Sequence, residues 1–325
     1  MAEEATFEIE IAHEVVDSSD DDEYYDDDCN EYGETIFDIN KIKKWEPDLV
    51  NKEGEDYPGI ITASMYIIGQ RGTGKSFLAR HLLGMYKDYL HHGLVITNTT
   101  FSGYWQQVFP TAAVIDVDIM DGALRMYIEN QEDNVRKWRD GQLDIRKAAG
   151  FVVFDDWVSD PKHARYSVDV VKLFTEGRHL LTWVVALSQY PKAVSTYTRN
   201  NLDYTIILRQ NKIDTRDHIW RDHLGMIPKR ETTKLYNFLK RDKHLAIVAN
   251  ESAYVETIYD AIMWWKADDT FGYFDNPGKH TKFGDPVWVR RMEMVYNDNH
   301  GRYRPGGDIL TRMNSLLGTL SPFKI

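Results

Sequence analysis

Apolar residues in this chain fall into short dense runs, separated by longer stretches in which they recur at helical spacing. The run 63–68 (ASMYII) suits a buried strand, and 94–99 (LVITNT), 112–117 (AAVIDV), 151–154 (FVVF), 182–187 (TWVVAL) and 204–208 (YTIIL) repeat the pattern. Between them, 77–90 gathers Phe77, Leu78, Leu82, Met85, Tyr86 and Leu90 at helical spacing, and 122–141 does so with Leu124, Tyr127, Ile128, Val135 and Trp138. A further helix is predicted over 166–180. Strands that are apolar on both faces and alternate with helices predict an α/β fold, a mainly parallel sheet covered by helices on both sides. After Arg209 come further helical segments and one more strand, 245–248; from Tyr259 onward the chain is aromatic-rich and loop-rich, with no clear period. No internal repeat is present. The expected division is a tail and lead-in at 1–45, a core at 46–250, and a C-terminal extension at 251–325 packed on that core.

One loop in this pattern carries chemistry. Gly69, Gln70, Arg71, Gly72, Thr73, Gly74, Lys75 and Ser76 read G-x-x-x-x-G-K-S, the phosphate-binding loop, set between a predicted strand and a predicted helix. Backbone N–H groups and the positive end of the helix dipole can surround a phosphate there. Lys75 is expected to reach the β- and γ-phosphates of ATP, and the Ser76 hydroxyl to ligate Mg²⁺. A phosphate loop needs acidic partners before it can hydrolyse anything. The run 151–154 ends in Asp155 and Asp156, which places Asp155 to hold Mg²⁺ through water and Asp156 to polarise an attacking water. Gln189 follows the strand 182–187, where a side-chain amide can contact both γ-phosphate and water. Arg178 (in Gly177-Arg178-His179) and Arg199 (in Thr198-Arg199-Asn200) are candidates for stabilising transition-state charge, and His179 for a γ-phosphate contact.

The overall charge of −12 misleads if taken whole. Residues 1–40 hold 16 of the 51 acidic residues and no Lys or Arg, which leaves 39 basic against 35 acidic residues in the rest. An acidic tail, expected to be disordered, therefore precedes a mildly basic body. Its roles are solubility or docking onto a basic partner. Arg136, Lys137, Arg139, Arg146 and Lys147 form a basic stretch that is either a solvated face or a nucleic-acid contact. The single cysteine, Cys29, excludes an intramolecular disulfide framework and any Cys-based zinc site, and points to a reducing compartment. No apolar run reaches 18 residues, so no membrane-spanning helix is predicted, and the N-terminus does not read as a signal peptide.

The strings IIGQRGTGKS, FVVFDDW and EGRHLLTWVVALSQYPKAVSTYTRNNLDY together resemble the poxvirus-type viral DNA-packaging ATPases of the FtsK/HerA superfamily, over about residues 61–210. The resemblance implies a P-loop NTPase core of RecA/FtsK type and a homo-oligomeric ring, expected to be a hexamer. It implies an ATPase that moves double-stranded DNA into a preformed capsid, with capsid or portal-vertex proteins as partners. Lys75 and Ser76 would bind nucleotide and Mg²⁺, Asp155 and Asp156 would form the Walker B pair, and Gln189 would be the sensor. Which of Arg178 and Arg199 acts in trans stays open. The place of action would be the host cytoplasm or a viral factory, with association to the virion. Two other readings stand beside this one: a P-loop kinase acting on a nucleoside or other small molecule, and a nucleotide-regulated binding protein with little turnover.

Overall fold

Eight strands hydrogen-bond into one sheet in the order β3-β2-β4-β5-β1-β6-β7-β8 in a computed structural model of the chain, which describes residues 37–46, 59–157, 167–251, 257–267 and 282–298. The strands are β1 (Ser64–Ile68), β2 (His92–Thr97), β3 (Val114–Ile115), β4 (Gly150–Asp155), β5 (Thr182–Ser188), β6 (Tyr204–Ile207), β7 (Leu245–Asn250) and β8 (Ile262–Lys266). The first six run parallel, and β7 and β8 close the sheet in antiparallel register. The mainly parallel α/β architecture predicted from the periodicity is the one observed. The acidic tail lies outside the described residues, except for its end from Phe37.

Alternation along each strand feeds two cores. Tyr66 and Ile68 of β1, Val152 and Phe154 of β4 and Val184 and Ala186 of β5 pack on one face of the sheet. Met65 and Ile67, Phe151 and Val153, and Trp183 and Val185 pack on the other. The first face is covered by α2 (Met120–Arg139), α3 (Val168–Glu176), α4 (Ile213–His223) and α5 (Thr232–Leu239), through Leu124, Leu173, Ile219 and Leu235. The second is covered by α1 (Lys75–Met85), through Leu78, Leu82 and Leu83. Burial on both faces is what turns these strands into continuous apolar runs, each large side chain contributing about 1.5–3 kcal/mol.

Several expectations are corrected. The helix over 77–90 is shorter: α1 ends at Met85, and Leu90 stays fully buried from the turn that follows, so apolar spacing outlasts the helix. The strand over 112–117 shrinks to Val114–Ile115, because 3₁₀ turns at Thr111–Ala113 and Val117–Ile119 take up its flanks. The boundary at 250/251 falls between two strands of one sheet, since Ile247 pairs with Trp264. The end of the lead-in packs on the same sheet. Phe37 and Trp45 are 0% and 2% exposed, and Trp45 N–H donates to the Trp264 carbonyl at 2.7 Å. The segment past Tyr259, without a readable period, contains β8 and α6 (Pro286–Asp298). Asp285 starts α6, its carboxylate accepting from the N–H groups of Val287 (2.7 Å) and Trp288 (3.2 Å), with Pro286 at the first helical position.

Candidate active site

The order β4-β5-β1 places three strand ends side by side. Ile68 is in register with Ser188, and Leu187 with Asp155, so the loop after β1, the two carboxylates ending β4 and Gln189 after β5 leave the sheet at one edge. Because β5 lies between β1 and β4, Gln189 stands between the phosphate loop and the acidic pair. A cleft of about 400 Å³ opens there, lined by Lys75, Ser76, Asp155, Asp156 and Gln189 together with Arg71, Gly72, Gly74, Phe77, Thr99, Tyr104 and Trp105.

The loop is held by its own backbone. Gly69 N–H donates to the Ser188 carbonyl (3.1 Å), and both the N–H and the hydroxyl of Thr73 donate to the Gln70 carbonyl (3.2 and 2.7 Å). Gln70 and Thr73 thus shape the loop rather than line the cleft. A Cβ at Gly69 would stand 2.5 Å from Thr73 Oγ1 and 2.9 Å from Leu208 Cβ, so only glycine fits that crossing. Gly72 and Gly74 take φ of +79° and +92°, the left-handed region that glycine enters freely. Gly74 is the N-cap of α1 and no side chain caps it, which leaves the first-turn N–H groups and the helix dipole available to an anion. Lys75 Nζ donates to the carbonyls of Gly69 (3.0 Å) and Gln70 (3.4 Å). Burial pulls this ammonium below the usual lysine range, against the opposing pull of Asp155 and Asp156.

Asp155 is 7% exposed, and its Oδ2 accepts two hydrogen bonds: from Ser76 Oγ at 2.8 Å and from the Trp105 indole Nε1 at 2.7 Å. Burial pushes its carboxyl above the ordinary value; the Trp105 and Ser76 bonds oppose this, Asp156 adds to it, and Lys75 opposes it. A serine hydroxyl and a buried carboxylate in contact are hard oxygen donors beside a loop built for phosphates, and this donor set fits Mg²⁺. Asp156 follows in the left-handed region, φ +51°, with its carbonyl accepting from Asn98 Nδ2 at 2.8 Å. That backbone state costs about 1–2 kcal/mol for most residues and less for Asp. It turns the exposed Asp156 toward the cleft rather than back into the sheet.

The two arginines are not in this cleft. Arg178, 61% exposed, pairs with Asp203 at 2.5 Å, and with His179 it lines a separate depression at the opposite edge of the sheet, beside Asn200 and Asn201. The length of β5 separates the two edges, about 20 Å at 3.3 Å per residue. Arg199 is 12% exposed, pairs with Asp222 at 3.5 Å and donates to Thr196 Oγ1 at 3.1 Å. In the basic stretch, Arg136 and Lys137 both pair with Asp133, and the Arg146 guanidinium lies over the Tyr89 ring at 5.3 Å. Trp105 was not among the sequence candidates. It sits in an aromatic loop after β2, and no local spacing reveals that its indole N–H ends on a carboxylate 50 residues later.

The sequence profile of the family described as "Poxvirus A32 protein" matches residues 61–270. "Uncharacterized protein L437" of Acanthamoeba polyphaga mimivirus is 24% identical over 277 residues, 83% of this chain and 92% of that protein. "Uncharacterized protein 075L" of Invertebrate iridescent virus 6 is 24% identical over 265 residues, 80% of this chain and 96% of that protein. Among solved structures, B204, the DNA-packaging ATPase from Sulfolobus Turreted Icosahedral Virus, aligns at a TM-score of 0.44 with 13% identity, covering 64% of this chain and 98% of that one.

Proposed function

The chain belongs to the Poxvirus A32 protein family, and from that premise we propose that it is an ATP-hydrolysing motor that packages double-stranded viral genome DNA into a preformed capsid. The observation that carries the reading is the convergence of Lys75, Ser76, Asp155, Asp156 and Gln189 on one cleft from three adjacent strand ends. In this reading the first-turn amides of α1 and Lys75 bind the phosphates, Lys75 exchanging its two carbonyl partners for phosphate oxygens. Ser76 and Asp155 hold Mg²⁺, which when bound neutralises charge on the phosphates. Asp156, exposed in the cleft, accepts the proton of the attacking water, and Gln189 orients that water.

No arginine of the chain's own candidate pair completes the site. Arg178 is exposed at the far edge of the sheet, whereas Arg199 is mostly buried in an ion pair. Arg178 is therefore the one we assign to a neighbouring copy's cleft, which requires a homo-oligomer, a ring in the reading above. Double-stranded DNA, capsid or portal-vertex proteins and a place in the viral factory or the virion belong to the same proposal. Among the described residues no helix is long and apolar enough to cross a membrane.

The test is ATP hydrolysis with and without double-stranded DNA, coupled to sizing with ATP bound. Hydrolysis should rise with DNA and the protein should sediment as an oligomer. Lys75→Ala should lose nucleotide binding; Asp156→Asn should keep binding and lose turnover by about 10²–10⁴-fold. A monomer indifferent to DNA that phosphorylates a nucleoside would establish the kinase reading instead.

A further inference from the structure

We infer that Trp105 is a positioning residue that holds the Asp155 carboxylate in the orientation needed to receive the cation. The inference rests on the nucleotide-site reading above. Trp105 Nε1 and Ser76 Oγ both donate to Oδ2, at 2.7 and 2.8 Å. With both donors on Oδ2, the plane of the carboxylate is tied on that side, and Oδ1 is the oxygen left for a ligand. Ser76 alone could not impose this, because its hydroxyl rotates and is itself a proposed ligand. The indole cannot rotate: Trp105 is 1% exposed, and its ring contacts Tyr104 (5.7 Å) and Phe109 (5.8 Å), with Phe109 wedged against Phe151 and Phe283 at 5.1 Å each. Filling the core does not require the N–H bond. Trp157 and Trp183 are equally buried, and among the described residues their indole nitrogens have no hydrogen-bond partner. At Trp105 the donor is spent on the carboxylate that ends β4.

Residues that orient a metal ligand cost about 10–100-fold in metal affinity when removed. In the full-length protein with a non-hydrolysable ATP analogue, Mn²⁺ affinity can be read directly by electron paramagnetic resonance of the free ion. Trp105→Phe should weaken Mn²⁺ binding by about 10–100-fold, well beyond any change in analogue affinity measured in EDTA. Phe109→Leu loosens the same aromatic cluster without touching Asp155; it should lower the melting temperature and leave Mn²⁺ affinity as in wild type. Replacing Trp105 by 3-benzothienylalanine, which keeps the bicyclic shape but has no N–H, should reproduce the Trp105→Phe loss. Wild-type Mn²⁺ affinity in the benzothienylalanine protein, or an equal loss in Phe109→Leu, would overturn the inference and leave the nucleotide site standing. If the wild-type protein held no Mn²⁺ with the analogue, both would fall together.

Discussion

Asp155→Asn should separate what the carboxylate does for catalysis from what it costs the fold. The group is nearly buried, and burial is the leading cause of its raised pKa, so ionising it works against folding. The direction follows from linkage. The folded carboxyl titrates above the ordinary 3.8, so the penalty is absent below that value and grows as pH rises through the folded pKa. Two donors offset it, each worth about 1.5–3 kcal/mol to a charged acceptor, against a desolvation cost of several kcal/mol. In the variant the amide oxygen can accept from Ser76 and Trp105 in place of Oδ2, each bond falling to about 1 kcal/mol while the desolvation cost disappears. The net effect without nucleotide is a stability within about 1 kcal/mol of wild type or above it, with the difference moving in favour of the variant as pH rises. For a domain of this size 1 kcal/mol is about 2–4 °C. ATP hydrolysis should meanwhile fall at least about 100-fold, the equivalent of about 2.7 kcal/mol of transition-state stabilisation. Thermal unfolding without nucleotide, followed over about pH 5 to 8, and ATPase rates at saturating Mg²⁺ measure the two effects. A stability loss above about 3 kcal/mol at neutral pH, the size expected on breaking a needed buried charge, would make Asp155 structural and refute the reasoning.

Other consequences follow from single positions. Gly69→Ala places a methyl 2.5 Å from Thr73 Oγ1, so the loop must open; a stability cost of about 1–3 kcal/mol and weakened binding of a fluorescent ATP analogue are expected. His92 is partly buried against Gln131 (2.7 Å), and burial holds its imidazole below the ordinary 6.5, with the Gln131 bond opposing, His91 adding and Asp285 opposing. The unfolded chain therefore takes up that proton first, stability is lost as pH falls below 6.5, and His92→Asn should flatten this slope in urea unfolding. DNA stimulation of the ATPase should decline as salt rises, linearly in log–log form, because phosphate contacts release counterions; a salt-independent stimulation would argue against a backbone-tracking motor.

The legible part of the fold came from residues whose structure is decided locally or by burial alone. The apolar runs at β1, β4, β5 and β6 could be read because strands buried on both faces leave no polar positions. The eleven-residue α1 and the Gly-rich loop before it were visible for the same kind of reason: the glycines meet a backbone demand within the loop itself. The edges were harder. Val114–Ile115 is too short to carry a period, and in β8 two half-buried residues, Met263 and Trp264, separate buried Ile262 from buried Trp265, which breaks the two-residue alternation. The Asp285-Pro286 start of α6 is a local capping signal, but the aromatic-rich segment around it has no helical period to go with it.

The chain's own letters determined that a phosphate loop lies between a buried strand and a helix, and that two carboxylates and a glutamine follow later strands. They determined this because loop conformation and strand burial are set within a few residues. Strand neighbours are not. That β5 inserts between β1 and β4, bringing Gln189 between Lys75 and Asp155, depends on which apolar faces pack together across more than a hundred residues. The same holds for the hydrogen bond from Trp105 to Asp155, and for the separation of Arg178 and Arg199 from the cleft. A side chain's type states what it can donate or accept; only the packed sheet decides which group stands within reach of it.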